Sequence, residues 1–206
     1  AQYEKLFGQD LNDDNFIGEK EIDVNDLYEY KLENDYVIYT DTSTQNSETY
    51  TYLLSETDNT LVKLSQSYGG YLSLFTTYDY EYAYQDYTYK SNSTTKPIAG
   101  IETEYGFKLI TEYKSESTYS NNFYDDYSYQ SWTIYEFDKE GTFDWSDTTY
   151  IYTKNDLMDY EKEFNYDLNN DGSIGVDLSS LELKLSDTDT YKTRLARDKD
   201  EKLYIA

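Results

Sequence analysis

The stretch Tyr71-Leu-Ser-Leu-Phe-Thr-Thr-Tyr78-Asp-Tyr80-Glu-Tyr82-Ala-Tyr84 alternates with a period of two residues, and Tyr78, Tyr80, Tyr82 and Tyr84 fall at every second position. Successive side chains of a strand point to opposite faces of a sheet, so this alternation predicts a β-strand with its tyrosines on one face. The alternation changes phase at Gln85-Asp86, because the next tyrosines are Tyr87 and Tyr89. This slip predicts a bulge or a turn.

The rest of the chain shares this composition. It has 28 tyrosines in 206 residues, with one proline and nine glycines. Low aliphatic content with high charge is typical of disordered chains, but tyrosine and threonine favour strands and aromatic side chains bury large areas. We therefore predict a mainly β protein, an antiparallel twisted sheet or sandwich of tyrosine-rich strands, with one or two short helices leading into calcium-type loops.

Several other segments have the pattern of strands separated by turn residues. They cover 35–40, 49–54, 61–65, 107–113, 127–137, 142–145 and 149–153, with a hairpin between the second and third of them. The polar segment 91–96 is predicted to be a linker, and Asp138-Lys-Glu-Gly141 is predicted to be a turn. One helix is predicted near Asn155, which can cap it. The apolar face of that helix would contain Leu157, Tyr160, Glu161 and Phe164.

Charge and composition exclude several classes of partner and chemistry. The chain has 17 basic and 42 acidic residues, and its formal net charge of −25 would repel nucleic acid and anionic membranes. It has no cysteine for disulfides and no histidine, the commonest general base and transition-metal ligand. No apolar run approaches the roughly 20 residues that a membrane-spanning helix needs. We expect no nucleic acid partner and no membrane insertion.

One motif occurs twice in the chain, at a constant offset and without a gap. The first copy contains Asp10-Leu-Asn12-Asp-Asp14-Asn15-Phe-Ile17-Gly18, and the second contains Asp167-Leu-Asn169-Asn-Asp171-Gly172-Ser-Ile174-Gly175. Oxygen-bearing side chains at alternate positions are typical of a calcium loop. In such a loop, positions 1, 3 and 5 contribute side chains, position 7 a carbonyl, and an acid near position 12 completes the coordination.

The predicted calcium ligands follow from these positions. In the first loop they are Asp10, Asn12, Asp14, the carbonyl of Phe16, and Glu21. In the second loop they are Asp167, Asn169, Asp171, the carbonyl of Ser173, and Asp177, which stands one place before position 12.

Position 6 of a calcium loop needs a sharp turn with positive φ. Gly172 suits that position, and Asn15 is the next-best residue. Ile17 and Ile174 are predicted to anchor the loops in the apolar core. Calcium is therefore the expected cofactor, and the alternative is a pair of Asx-rich surface turns without metal.

The motif Glu-x-x-Phe-x-x-Asp-Leu-Asn-x-Asp-Gly-x-Ile-Gly, which ends at Gly175, resembles the repeats of bacterial tryptophan-rich domains. These domains occur in large surface and secreted haemolysin-like proteins, and the loops are similar to those of EF-hands and dockerins. The resemblance covers about residues 94–175. Most positions where the family has tryptophan hold tyrosine or threonine here, such as Tyr135. The resemblance implies a secreted or cell-surface, repetitive, calcium-binding protein, and no established activity.

The duplication predicts three parts in the chain. Residues 1–22 would be the calcium-loop end of a preceding repeat unit, and 23–175 a β-rich repeat domain that ends in the second loop. Residues 176–206 would begin a following unit or form a terminal assembly segment.

Two functions are open. The leading one is an extracellular bacterial structural or adhesive surface module, stabilised by calcium. Copies of the chain would be its partners, joined into a filament or surface layer through terminal segments, because unpaired strand edges invite strand addition.

The alternative function is a carbohydrate-binding module that holds a polysaccharide on exposed tyrosines, those of 78–84 with Tyr124, Tyr127 and Tyr129. The competing interpretation is that the same rings only pack against one another across the strands of a sheet. No enzyme is expected, because no carboxylate pair stands out and no histidine can activate a nucleophile.

Overall fold

The computed structural model describes residues 22–43, 45, 49–56, 59–68, 72–84, 87–120 and 125–175, with three short strands at 182–184, 195–197 and 203–205. These residues are mainly β, which confirms the predicted class. The chain divides into two compact units, the first ending at Tyr150 and the second beginning at Ile151. Among the described residues, no helix has the length and apolar character needed to cross a membrane.

Up to Ile151 the strands are, in chain order, β1 (Tyr28–Lys31), β2 (Val37–Thr40), β3 (Thr51–Leu54), β4 (Leu61–Lys63), β5 (Ser65–Gln66), β6 (Thr76–Tyr84), β7 (Tyr87–Thr103), β8 (Gly106–Tyr119), β9 (Tyr127–Asp138), β10 (Thr142–Phe143) and β11 (Thr148–Ile151). The second unit continues with helix α1 (Lys154–Phe164) and strands β12 (Glu182–Lys184), β13 (Leu195–Arg197) and β14 (Leu203–Ile205). Short 3-10 helices occupy Val24–Asp26 and Trp145–Asp147.

The strands up to Ile151 form two larger sheets. Strands β1 to β4 make a four-stranded antiparallel sheet, and its β3–β4 hairpin confirms the predicted one. A five-stranded sheet has the order β11-β9-β8-β7-β6, and β5 pairs in parallel with β10. The predicted slip at Gln85-Asp86 lies outside the described residues. On either side of it β6 and β7 pair antiparallel, with Tyr84 opposite Tyr87.

The two larger sheets share one hydrophobic core, as in a sandwich. Its buried members are Leu32, Ile38, Leu53, Leu64, Leu72, Leu74, Phe75, Phe107, Leu109, Phe137 and Phe143. A side-chain clamp fixes the sheets at one point: Asn34 donates to the carbonyl of Gly100 at 2.8 Å and accepts from its N–H at 3.2 Å. Position 100 must be small, because a Cβ there would lie 2.5 Å from the ring of Tyr36.

The predicted linker at 91–96 is wrong, because these residues lie inside β7, a strand of 17 residues. Here the sheet extends beyond the core and both of its faces meet solvent. The segment therefore lacks the alternating apolar residues by which a half-buried strand is recognised in a sequence. The register of β7 with β8 shifts between Pro97 and Ala99. A bulge suits proline, which has no N–H to donate to the ladder.

Helix α1 begins at Lys154 and is capped by Thr153 rather than by the predicted Asn155. The hydroxyl of Thr153 accepts the N–H of Asp156 at 3.3 Å, which satisfies one free donor of the first turn. Of the predicted apolar face, Leu157, Glu161 and Phe164 are buried.

Candidate functional site

The structure describes part of the predicted calcium ligands. Asp167, Asn169, Asp171 and Ser173 lie in the loop that follows helix α1. Outside the described residues lie Asp10, Asn12, Asp14, Phe16, Glu21 and Asp177, together with Asn15 and Ile17.

The second loop closes on its own side-chain oxygens. The carboxylate of Asp167 accepts the N–H groups of Asp171 at 3.1 Å and Gly172 at 2.8 Å. Asn169 Oδ1 accepts the N–H of Asp171 at 2.8 Å, and Asp171 Oδ1 accepts that of Ser173 at 2.9 Å. Gly172 has φ +92°, as predicted for position 6. The side chains of positions 1, 3 and 5 therefore turn into the loop.

Glu161 joins this loop to helix α1. Its side chain is buried, with 0% of it exposed. Oε1 accepts the N–H of Asn169 at 3.1 Å, and Oε2 accepts that of Gly175 at 2.6 Å. The helical pattern predicts Glu161 on the apolar face of the helix and indicates no role for it in the loop. The signal was present, because Glu4 stands at the equivalent position of the first copy.

The ionisation of Glu161 is set by opposing influences. Burial raises the pKa of its carboxyl above the usual value, and the nearby carboxylates of Asp171 and Asp167 raise it further. The N–H groups of Gly175 and Asn169 act in the opposite direction but do not cancel the rise in pKa. A cation bound by the loop would offset the repulsion among these carboxylates.

The chemistry of the loop fits a hard cation. Two carboxylates, the amide oxygen of Asn169 and the carbonyl of Ser173 are oxygen ligands of the kind that calcium prefers. Over the described ranges, no three acidic, histidine or cysteine side chains gather closely enough to hold a metal. The prediction for Ile174 is wrong, since its side chain is 47% exposed, and Leu168 is the buried apolar residue of this loop.

A second candidate site lies on the part of the five-stranded sheet that extends beyond the core. We call it the hydroxyl face, because every residue that the strand register places on it carries a hydroxyl group. Its members are Thr76, Tyr78, Tyr80, Tyr82, Tyr87, Tyr89, Ser91, Ser93, Thr95, Tyr113, Ser115, Ser117, Tyr119, Tyr127, Tyr129 and Ser131. The tyrosines lie on all four strands β6 to β9, and the serines between them on β7 and β8 are Ser91, Ser93, Ser115 and Ser117.

The rings of the hydroxyl face pack across strands and yet remain accessible. Five of them are exposed, with fractions from 58% for Tyr78 to 41% for Tyr80 and Tyr82. The other four, Tyr87, Tyr89, Tyr113 and Tyr119, are half-buried. The rings of Tyr78 and Tyr80 are parallel within 7° at a centroid distance of 6.3 Å, while Tyr80 tilts against Tyr89 at 6.1 Å. Tyr124, also predicted for this platform, lies outside the described residues.

Hydrogen bonds hold the centre of the hydroxyl face in place. The hydroxyls of Tyr89 and Ser117 are 3.1 Å apart, and Ser117 donates to Ser91 at 3.1 Å. Hydrogen bonds with Ser117, Ser91 and Tyr127 lower the pKa of the Tyr89 hydroxyl. The two serines of β8 at this centre are buried, with 8% of Ser115 and 1% of Ser117 exposed. Ser91 and Ser93 on β7 are half-buried.

The opposite face of the same strands carries the charges. Lys90 pairs with Glu81 at 3.2 Å and Lys114 with Glu112 at 2.7 Å. Asp79 accepts a hydrogen bond from the side chain of Asn92. This part of the sheet therefore has one charged face and one uncharged face of hydroxyl groups.

Comparison with protein-family models, with curated proteins and with solved structures finds no match to this chain. The resemblance to bacterial tryptophan-rich repeats therefore stays a prediction that rests on the motif residues alone.

Proposed function

We propose that this chain is an extracellular bacterial surface module, stabilised by calcium. It adheres through the hydroxyl face, on the part of its five-stranded sheet that extends beyond the core. The hydroxyl face is the observation that supports the proposal most. Monomeric proteins rarely expose large contiguous aromatic patches, and such patches are typical of binding surfaces. The alternative function, a carbohydrate-binding module, concerns the same face, since the rings of Tyr78 and Tyr80 are exposed and parallel.

Calcium would have a structural role in this proposal and not a catalytic one. Asp167, Asn169, Asp171 and the carbonyl of Ser173 would hold the ion, and Glu161 fixes both ends of the loop to helix α1. The ion would remove the repulsion between Asp167 and Asp171, so the loop and the end of the helix gain stability when it binds.

Copies of the chain are proposed as further partners through the terminal segment. Strands β12, β13 and β14 form an antiparallel sheet in that order, so β12 and β14 are its edges within the part of the chain that the structure describes. An edge strand presents unpaired N–H and C=O groups to which a neighbouring chain can add a strand. Sedimentation velocity over a range of concentrations tests this part, and a single monomeric species throughout would contradict it.

The calcium part is tested by NMR. On titration with calcium chloride to about 1 mM, within the range where extracellular modules bind, the amide signals of Asn169, Gly172 and Gly175 are expected to shift. In the Asp167→Ala variant these shifts should be lost, whereas Glu163→Ala, at an exposed site on helix α1, should keep them. Unchanged signals in the unmodified protein would overturn calcium binding at this loop.

The adhesive part is tested by sedimentation with washed bacterial cells. The unmodified protein is expected to sediment with the cells, and the double variant Tyr78→Ala, Tyr80→Ala is expected to stay in the supernatant. Tyr105→Ala is the matched control, because Tyr105 is 79% exposed and lies in the β7–β8 turn, off the hydroxyl face. Equal sedimentation of the double variant would overturn adhesion through this face.

A further inference from the structure

Residue type changes sharply along one continuous face of the five-stranded sheet. Where the face is covered by the core it carries Phe107, Leu109 and Phe137, which are 3%, 0% and 4% exposed. Farther along the same strands, past Thr111 and Thr133, the same side of the pleat carries only tyrosine, serine and threonine. A permanent interface resembles a protein core. The change to hydroxyl groups therefore indicates a surface that water reaches and that a partner covers reversibly.

From this face we infer a binding site for a neutral polysaccharide, an inference that rests on the adhesive function proposed above. The tyrosine rings offer rigid, flat apolar area, and each hydroxyl group can both donate and accept a hydrogen bond. A sugar chain offers the same combination, with C–H groups on the faces of its rings and hydroxyl groups around them. Tyrosine and serine are also the residues that antibody combining sites use for adaptable recognition.

Charge selects among the possible occupants of this face. No member of the hydroxyl face is charged, so the face has no group to pair with a uronate, a sulfate or a basic peptide. The chain as a whole has a net charge of −25 and repels acidic polymers at long range. A neutral polymer is the occupant that neither effect opposes.

Affinity electrophoresis in native gels tests the inference. The acidic protein migrates readily, so binding shows as retardation by a polymer cast in the gel. We expect retardation by neutral hydroxyethylcellulose or galactomannan, and none by acidic polygalacturonate. The double variant Tyr78→Ala, Tyr80→Ala should bind about tenfold more weakly, which corresponds to about 1.4 kcal/mol. Tyr105→Ala should bind like the unmodified protein.

Other outcomes would overturn the inference. They are the absence of retardation by both neutral polymers, stronger retardation by polygalacturonate, or unchanged binding by the double variant. A concentration-dependent dimer that this variant abolishes would assign the face to a second copy. If the double variant does not fold, Tyr127→Ala takes its place with the same expectation. If the protein sediments with cells but no neutral polymer retards it, the inference of a polysaccharide ligand fails and the adhesive function stands. If the protein neither sediments with cells nor is retarded, the adhesive function fails as well.

Discussion

Replacing Glu161 with alanine should release the second loop from helix α1. The substitution removes the acceptor of two buried N–H groups, those of Asn169 and Gly175. A buried donor left without a partner costs about 1–3 kcal/mol, so the two together cost about 2–6 kcal/mol. Removing the repulsion between this carboxylate and those of Asp167 and Asp171 offsets part of that loss. We expect a net loss of about 2–4 kcal/mol in the local stability of the loop.

Native-state hydrogen exchange measures this loss directly. The amides of Asn169 and Gly175 should exchange about 30- to 700-fold faster in Glu161→Ala, because every 1.4 kcal/mol is a factor of ten. Glu163→Ala is the matched control, since Glu163 is exposed on the same helix, and it should change stability by less than about 0.5 kcal/mol. Equal exchange rates in Glu161→Ala and the unmodified protein would refute the role of Glu161.

Three further predictions concern the backbone, the pH dependence and the contact between the sheets. Gly106→Ala should lower the free energy of unfolding by about 3 kcal/mol or more, because a Cβ at φ +153° would overlap the carbonyl oxygen of Phe137. Gly172→Ala should cost only about 1 kcal/mol, because nothing lies within 4 Å of its Cβ position; urea unfolding that ranks the two the other way would contradict both. Because burial raises the folded pKa of Glu161, the unmodified protein should gain stability relative to Glu161→Gln as the pH falls from neutral towards 4.5, and a constant difference in melting temperature would contradict this. Asn34→Ala should cost about 2 kcal/mol in urea unfolding, since it loses two hydrogen bonds to the sheet; an unchanged midpoint would show that this clamp contributes nothing.

The strands that could be predicted from the sequence are those with an apolar side. In β8, Phe107 and Leu109 lie on one side, and Lys108 and Glu112 on the other, so the two-residue period is visible, although Ile110 is buried on the second side as well. The middle of β7 could not be predicted in this way, because neither face of the sheet is covered there. A run of serine, asparagine and threonine then looks the same in a linker and in a strand.

In the second loop, too, the sequence predicts only part of what single residues do. Its ligand positions follow from spacing along the chain, and the inward turn of Asp167, Asn169 and Asp171 agrees with that spacing. The role of Glu161 depends on how helix α1 meets the loop, which spacing alone does not give. The prediction of Asn155 as the helix cap is wrong for a related reason. Thr153 and Asn155 are both good capping residues, and only the backbone geometry decides between them.

Hydroxyl-radical footprinting read by mass spectrometry tests the central claim most directly, because it reports the accessibility of each tyrosine in the unmodified protein. Tyr78, Tyr80 and Tyr127 should be modified rapidly in the free protein, while Tyr52, which is 4% exposed, should be protected. After addition of a neutral polysaccharide the first three should become protected, and Tyr105 should not. Protection of the hydroxyl face before any ligand is added, or accessibility that the ligand leaves unchanged, would contradict the account.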